Sequence, residues 1–473
     1  MTRSSMKGSI TYSKISKKME EKMKKYGFNL ILAAVLSLAI AGSAYAFSFD
    51  FHGSMINIVA ATDNANTLDA IQSSGTTDIF SYPGNVVNPW ATVFEDGGNV
   101  EYAKTKARLR FEGTTDDGKA KFVYGLEVGG HYWGDADFDL SGDPKDVETR
   151  FAYVQVSAIG GKITAGLQKS GLNQWVWTET APGLKYQTKV GDWKIDAAWF
   201  RGYDGFSYAG SDHHDNDDFF FVKTDGKINE NLSLGLFGLY DNLTKEKSYA
   251  SNYTAKYYWL GLTGKFKAGS IFGDFDAIYN GGDIEFDPGV APDMTRSGYL
   301  GNLTVGYKIN DQFKISLNGL YVSGDDDPND DSADNFDSVD VDIKCGIVLF
   351  TGDSLTGTAD NFVSDAPYIN DKGLINIALQ GEYQINDQNN VRLAVRKLYT
   401  AEDLKYNTGL GKSADNDIGW EYDLWYTYDF NKNVSFAAEA GLLSTGNAAD
   451  HLTSDGEAES SMYQVAAGII FKF

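Results

Sequence analysis

From Phe47 onward the chain alternates apolar and polar residues with a period of two, and no stretch there reads as a helix that could cover the apolar side. In one segment Ile375, Ile377, Leu379, Gly381, Tyr383 and Ile385 oppose Asn376, Ala378, Gln380, Glu382 and Gln384. In another, Trp420, Tyr422, Leu424, Tyr426, Tyr428 and Phe430 oppose Glu421, Asp423, Trp425, Thr427 and Asp429. Successive side chains of a strand point to opposite faces, so each segment is a strand with one greasy side. The last segment repeats the pattern, with Phe473, Phe471, Ile469, Ala467, Val465 and Tyr463 on its apolar face. Counting segments gives 18 strands, with 16 as the alternative. So many apolar faces need a common cover. Lipid around a closed antiparallel barrel supplies one and leaves no unpaired edge. The expected fold is therefore all-β: a transmembrane barrel whose second face is wet.

Connections alternate in length. Short turns fall at Gly160-Gly161, Gly191-Asp192, Asn229 to Asn231, Ala268-Gly269, Asn310-Asp311, Asn386 to Asn389 and Asn431 to Asn433, and another covers 114–118. Asn, Asp and Gly suit the positive φ of hairpin turns. Long loops fall between them, the longest at 62–98 and 324–371. An even strand count puts both termini on the short-turn side, the arrangement of bacterial barrels with periplasmic turns and long extracellular loops.

Residues 1–46 read as a cleaved leader. Lys24 and Lys25 precede a short apolar run from Leu30 to Ala41, then Ala44-Tyr45-Ala46, the pattern of a secretory signal peptide cut after Ala46. That run is shorter than the roughly 20 residues a spanning helix needs. Met23 offers a second start with an ordinary basic flank. Residues 47–473 form one domain, with no linker or shift in composition. The formal net charge of −24 excludes a nucleic-acid partner. A single cysteine, Cys345, excludes an internal disulfide framework. Abundant Tyr, Phe, Trp and Gly with eight prolines fit aromatic girdles on a barrel.

Several segments in order, Arg108-Leu109-Arg110-Phe111, Glu127-Val128-Gly129 up to Tyr132-Trp133-Gly134, Glu148 to Val154, and Gly166-Leu167-Gln168, resemble the first half of homotrimeric Gram-negative porins. The last strand with its terminal Phe resembles the assembly signal of outer-membrane barrels. The resemblance implies a passive, water-filled outer-membrane channel for ions and small hydrophilic solutes. It implies three partners: outer-membrane lipid with lipopolysaccharide, the barrel-assembly machinery acting on Phe473, Phe471, Ile469 and Val465, and two further copies of the chain. No cofactor and no enzymatic activity are expected. One departure stands out. The loop that narrows general porins is long, whereas 171–182 is short here, so 324–371 or 62–98 is the better candidate for constriction. The alternative function is a substrate-selective channel, with Trp133, Trp175, Trp177 and Trp259 as an aromatic slide for sugars. A membrane-anchored adhesin or barrel enzyme fits less well. An autotransporter needs a passenger before the first strand, and an energised receptor needs a plug domain and about 22 strands.

Parity assigns the pore wall. If Ala103, Thr105, Ala107, Leu109 and Phe111 face lipid, then Lys104, Lys106, Arg108 and Arg110 form an inward ladder, because a charge at mid-bilayer costs about 2–4 kcal/mol. Arg150, Lys185, Arg392 and Arg396 are expected inward too. The matching acids are Glu127, Asp196, Asp274, Asp276, Glu382, Glu421, Asp423 and Glu439. Bases gather early and acids late, which predicts a field across a nearly neutral lumen. The surplus acids of the outer loops predict a mild cation preference.

Three motifs read as lures. Gly352-Asp353-Ser354-Leu355 resembles the nucleophile block of lipolytic hydrolases, but none of the five histidines has Asp three residues before it. Asp212-His213-His214-Asp215 carries metal-ligand types, yet adjacent side chains diverge and a polar loop needs no metal. Asp325 to Asp331 lacks the glycine and closing Glu of a calcium loop. No metal site is expected.

Overall fold

The computed structural model describes residues 47–63, 94, 98–134, 147–204, 216–243, 253–289, 291–327, 329–352, 354–357 and 366–473. The leader with its cleavage point, Met23, His213, His214, Asp353 and most of 62–98 lie outside the described residues.

The barrel strands are β1 (Phe47–Thr62), β2 (Val100–Thr115), β3 (Ala120–Tyr132), β4 (Val147–Ala158), β5 (Gly161–Lys169) and β6 (Thr180–Val190). Then come β7 (Trp193–Asp204), β8 (Asn216–Asn229), β9 (Leu232–Leu243), β10 (Tyr253–Ala268), β11 (Ile271–Phe286) and β12 (Met294–Lys308). The last six are β13 (Phe313–Val322), β14 (Leu374–Asn386), β15 (Asn389–Leu404), β16 (Asp415–Asp429), β17 (Val434–Thr445) and β18 (Ser461–Lys472). Each strand pairs antiparallel with the next. β1 also pairs with β18, from Ser54 opposite Lys472 to Thr62 opposite Gln464, so the sheet of 18 strands closes. Ser332–Ala333 adds a short parallel bridge to β12.

Tight turns alternate with long loops around the ring. Asparagine side chains hold several turns. Asn310 Oδ1 accepts from the Gln312 and Phe313 amides, and Asn431 Oδ1 accepts from the Asn433 and Val434 amides. The outward face is the expected apolar belt, with Phe51, Met55, Val59, Leu379, Tyr422 and Leu424 exposed. In an aqueous protein such a surface would be a liability; in lipid it is the cover itself.

The buried core sits inside the barrel. Between β13 and β14, residues 323–327, 329–352, 354–357 and 366–373 fold into the lumen and bury Phe336, Val341, Ile343, Ile347, Leu349 and Phe350 almost completely. The inward wall meets the loop in two ways: Phe221, Leu239, Tyr257, Trp259, Leu300 and Leu443 of the strands share its buried apolar cluster, and polar wall residues bond its backbone.

Candidate functional site

Wall carboxylates hold the inserted loop. Glu421 on β16 accepts from the backbone amides of Ile347, Val348 and Leu349 at 2.9, 2.8 and 3.4 Å. Its neighbour Asp423 accepts through Oδ2 from both Nε and Nη2 of Arg396 at 2.9 Å and through Oδ1 from the Ile347 amide at 3.3 Å. Glu439 on β17 accepts from the Leu355 amide at 2.9 Å and from the Ser354 hydroxyl. Gln464 on β18 donates to Ile347 O at 2.9 Å. All three amides bond Oε1 of Glu421, whose Oε2 is buried without a hydrogen-bond partner among the described residues.

A second anchor lies on β10 and β12. Asp337 meets Arg296 of β12 at 3.6 Å and accepts the Tyr368 hydroxyl at 2.7 Å; its backbone carbonyl accepts Trp259 Nε1 at 2.8 Å. Burial raises the carboxyl of Asp337. The short loop 170–179 also reaches inward. Trp175 Nε1 and Asn173 donate to Asp276 of β11 at 3.0 and 3.1 Å. The two loops are stitched together, with Val339 N bonded to Val176 O and Thr178 N to Asp340 O, both at 2.8 Å. Beside this seam burial, then the neighbouring Glu179 carboxylate, pushes Asp342 up to about 6.

The bases lie on β2, β3 and β4, beyond β18 and β1 from these acids. Lys106, Arg108 and Arg150 share the single carboxylate of Glu127, the last two at 2.6 and 3.0 Å. Arg110 and Lys121 share Glu112 at 2.5 and 2.8 Å. Lys104 donates to Thr356 O of the inserted loop at 2.6 Å. Cations outnumber carboxylates on this wall, and no loop segment among the described residues caps Arg108 or Arg110, both half-exposed. Arg150 faces inward for a reason that alternation does not give. The β3–β4 register slips opposite Gly125 and Leu126, and this bulge puts Arg150 and Phe151 on the same side.

The remaining wall residues have local partners. Lys185 donates to Lys169 O at 2.7 Å, and Asp196 accepts from Gln187 at 3.1 Å. Glu382 pairs with Lys314 at 2.8 Å. The Arg392 guanidinium lies 3.8 Å from the Trp425 ring centre. Asp274 and Asp276 line a cavity of about 690 Å³ together with Lys223, Lys227 and Lys265. The acids of β16 and β17 are therefore engaged with loop amides and Arg396, which makes the field there local rather than a simple opposition of walls. At the seam, Val465, Ile469, Phe471 and Phe473 face outward and are exposed. Phe473 exchanges backbone bonds with Gly53 at 2.9 and 3.0 Å, and its ring lies against that glycine.

Some residues of the site escaped the sequence reading. Glu112 and Lys121 continue the inward parity of β2 and β3 and could have been read from it. Arg296 and Asp337 carry no local signal, because their pairing joins a strand to a loop about forty residues away. Trp175, Trp177 and Trp259 form no aromatic slide: all three are buried, Trp177 against Phe200 and Phe219 and Trp259 against Tyr257, while Trp133 is exposed elsewhere. The hydroxyl of Ser354 is engaged by Glu439, Thr356 and Gln464.

A closed barrel with an apolar outer belt and a loop-filled lumen defines a transmembrane β-barrel of the outer-membrane type. Its fold is similar to that of several solved Pseudomonas aeruginosa proteins, among them the outer membrane protein OpdK. For OccK8 (OprE) the TM-score is 0.53 at 12% identity, covering 90% of this chain and 98% of that one. For OpdK with vanillate the values are 0.51, 10%, 90% and 98%. For OccK2 (OpdF) in complex with glucuronate they are 0.52, 11%, 90% and 96%. No protein-family model matches the chain, and no curated protein matches it significantly.

Proposed function

We propose that this chain is a substrate-selective outer-membrane channel for small anionic solutes. The observation that carries this reading is the division of the lumen. The carboxylates of β16 and β17 are engaged in anchoring loop residues 347–349 and 354–355, whereas β2 to β4 present Lys106, Arg108, Arg110, Lys121 and Arg150 around two carboxylates. A wide, neutral diffusion pore would need neither. Two of the solved structures with this fold hold carboxylic acids, vanillate and glucuronate, which supports the choice of anions. The reading reverses the mild cation preference expected from overall charge, because a selectivity filter samples the wall it passes and not the distant loops.

Planar-bilayer recording across a salt gradient tests it. Wild type should reverse on the anion side. Lys106, Arg108 and Arg110 all replaced by Glu should reverse on the cation side even at 1 M salt, where the screening length is about 3 Å. A cation-selective wild type would overturn the reading.

We propose further that Val465, Ile469, Phe471 and Phe473 are read by the barrel-assembly machinery, and that the barrel sits among outer-membrane lipid and lipopolysaccharide. A homotrimer is supported by a polar cluster on the outer face, where Thr105 donates to Asn57 at 2.6 Å and accepts from Trp133 at 2.9 Å. Lipid cannot satisfy the remaining amide protons of Asn57, whereas another protein surface can. Cross-linking through a cysteine at position 57 should give trimers; monomers alone would count against the assembly.

A further inference from the structure

A cavity of about 250 Å³ opens on the lumenal wall between β2 and β6, lined by Arg110, Tyr153, Gln155, Gln168, Lys169 and Lys185 among others. Its lining holds three cations and no carboxylate. Two of the three are fixed from behind. Arg110 meets Glu112 through Nη2, and Lys185 is held over the carbonyls of Lys169 and Ser170 at 2.7 and 3.3 Å.

Gln168 is the informative residue. Its Nε2 donates to Thr164 O and Gly183 O at 3.1 and 3.2 Å, which fixes the orientation of the amide. That orientation leaves Oε1 buried with no hydrogen-bond partner among the described residues, in a side chain only 3% exposed. Buried acceptors in native proteins are almost always paired, so an orphan beside a cavity calls for a donor from the occupant. A bare anion has no donor to give. A neutral polyol would leave the cations unmatched. The cavity therefore suits a molecule with an anionic end and at least one hydroxyl, and its volume is that of a single sugar-sized ring rather than a chain.

Building on the anion-channel reading, we propose that this cavity is a binding subsite for hydroxylated carboxylates of the sugar-acid class. The carboxylate lies between Arg110 and Lys185, and a ring hydroxyl donates to Gln168 Oε1. Tyr153, stacked edge-on to Phe151, walls the ring. The same bulge that turns Arg150 inward brings Phe151 here, so one register slip serves both the ladder and the subsite.

The test is block of chloride current through purified full-length channels by glucuronate and by cyclohexanecarboxylate, which share ring size and charge but differ in hydroxyls. In wild type glucuronate should bind about tenfold more tightly, the worth of one hydrogen bond. Gln168→Leu should bring that ratio to near unity while leaving anion selectivity intact. Lys185→Met should weaken both blockers and keep their ratio, which serves should Gln168→Leu fail to fold. Equal block of wild type by the two acids, or a ratio that survives Gln168→Leu, would overturn the subsite while leaving the anion channel standing. Glucose blocking as well as glucuronate would overturn the anionic half. Glucose 6-phosphate blocking better than glucuronate would overturn the assignment to carboxylates.

Discussion

Replacing Glu421 with Ala should release the inserted loop. The carboxylate accepts two strong amide bonds, from Ile347 at 2.9 Å and Val348 at 2.8 Å, and a weak third from Leu349 at 3.4 Å. Hydrogen bonds to a charged group are worth about 1.5–3 kcal/mol each. Taken at the low end, the two strong bonds amount to about 3 kcal/mol. That shifts the docked-to-undocked ratio roughly hundredfold. Asp423 and Arg396 stay paired, so the barrel wall itself should hold. Single-channel recording should show a larger or noisier open state than wild type. Hydrogen exchange at 346–350 should lose protection by about the same hundredfold, while β14 to β16 keep theirs. Glu421→Gln, which retains one acceptor oxygen, should lie between. Unchanged conductance together with unchanged protection at Ile347 and Val348 would refute the idea that this carboxylate anchors the loop.

Loop docking should depend on pH through Asp342, whose folded-state value lies at about 6 against an ordinary value of about 3.9. Stabilisation from a raised carboxyl is complete below the ordinary value and is lost as pH rises through about 6, so conductance should increase between pH 4 and pH 6.5, and Asp342→Asn should flatten the profile. A Cβ at position 53 would stand 2.4 Å from the Phe473 ring, so Gly53→Val forces that ring away; the variant should insert in cells as poorly as one lacking Phe473, read as the heat-modifiable band in membrane fractions. Barrels of either variant that do insert should conduct as wild type, since the contact lies on the outer face.

The wall could be read from sequence because a strand repeats every two residues and lipid punishes each inward-outward error. Lys104 to Arg110 illustrate this: four charges at alternate positions admit one register, and β2 adopts it. The asparagine turns were equally legible, since the side chain that closes each turn lies within it. The strand faces and the alternation of turn and loop thus follow from the order of residues alone. Tertiary structure decided what fills the barrel. Ile347 to Phe350 read as an apolar run in a loop; that it lies inside the lumen depends on backbone donors meeting Glu421 more than seventy residues away. Arg150 needed a bulge, which depends on two strands at once. The orphaned acceptor of Gln168 exists only because Thr164 and Gly183 hold its other end. Local pattern fixes which way a side chain points, whereas only closure of the ring brings distant donors and acceptors within reach, and the function rests on those meetings.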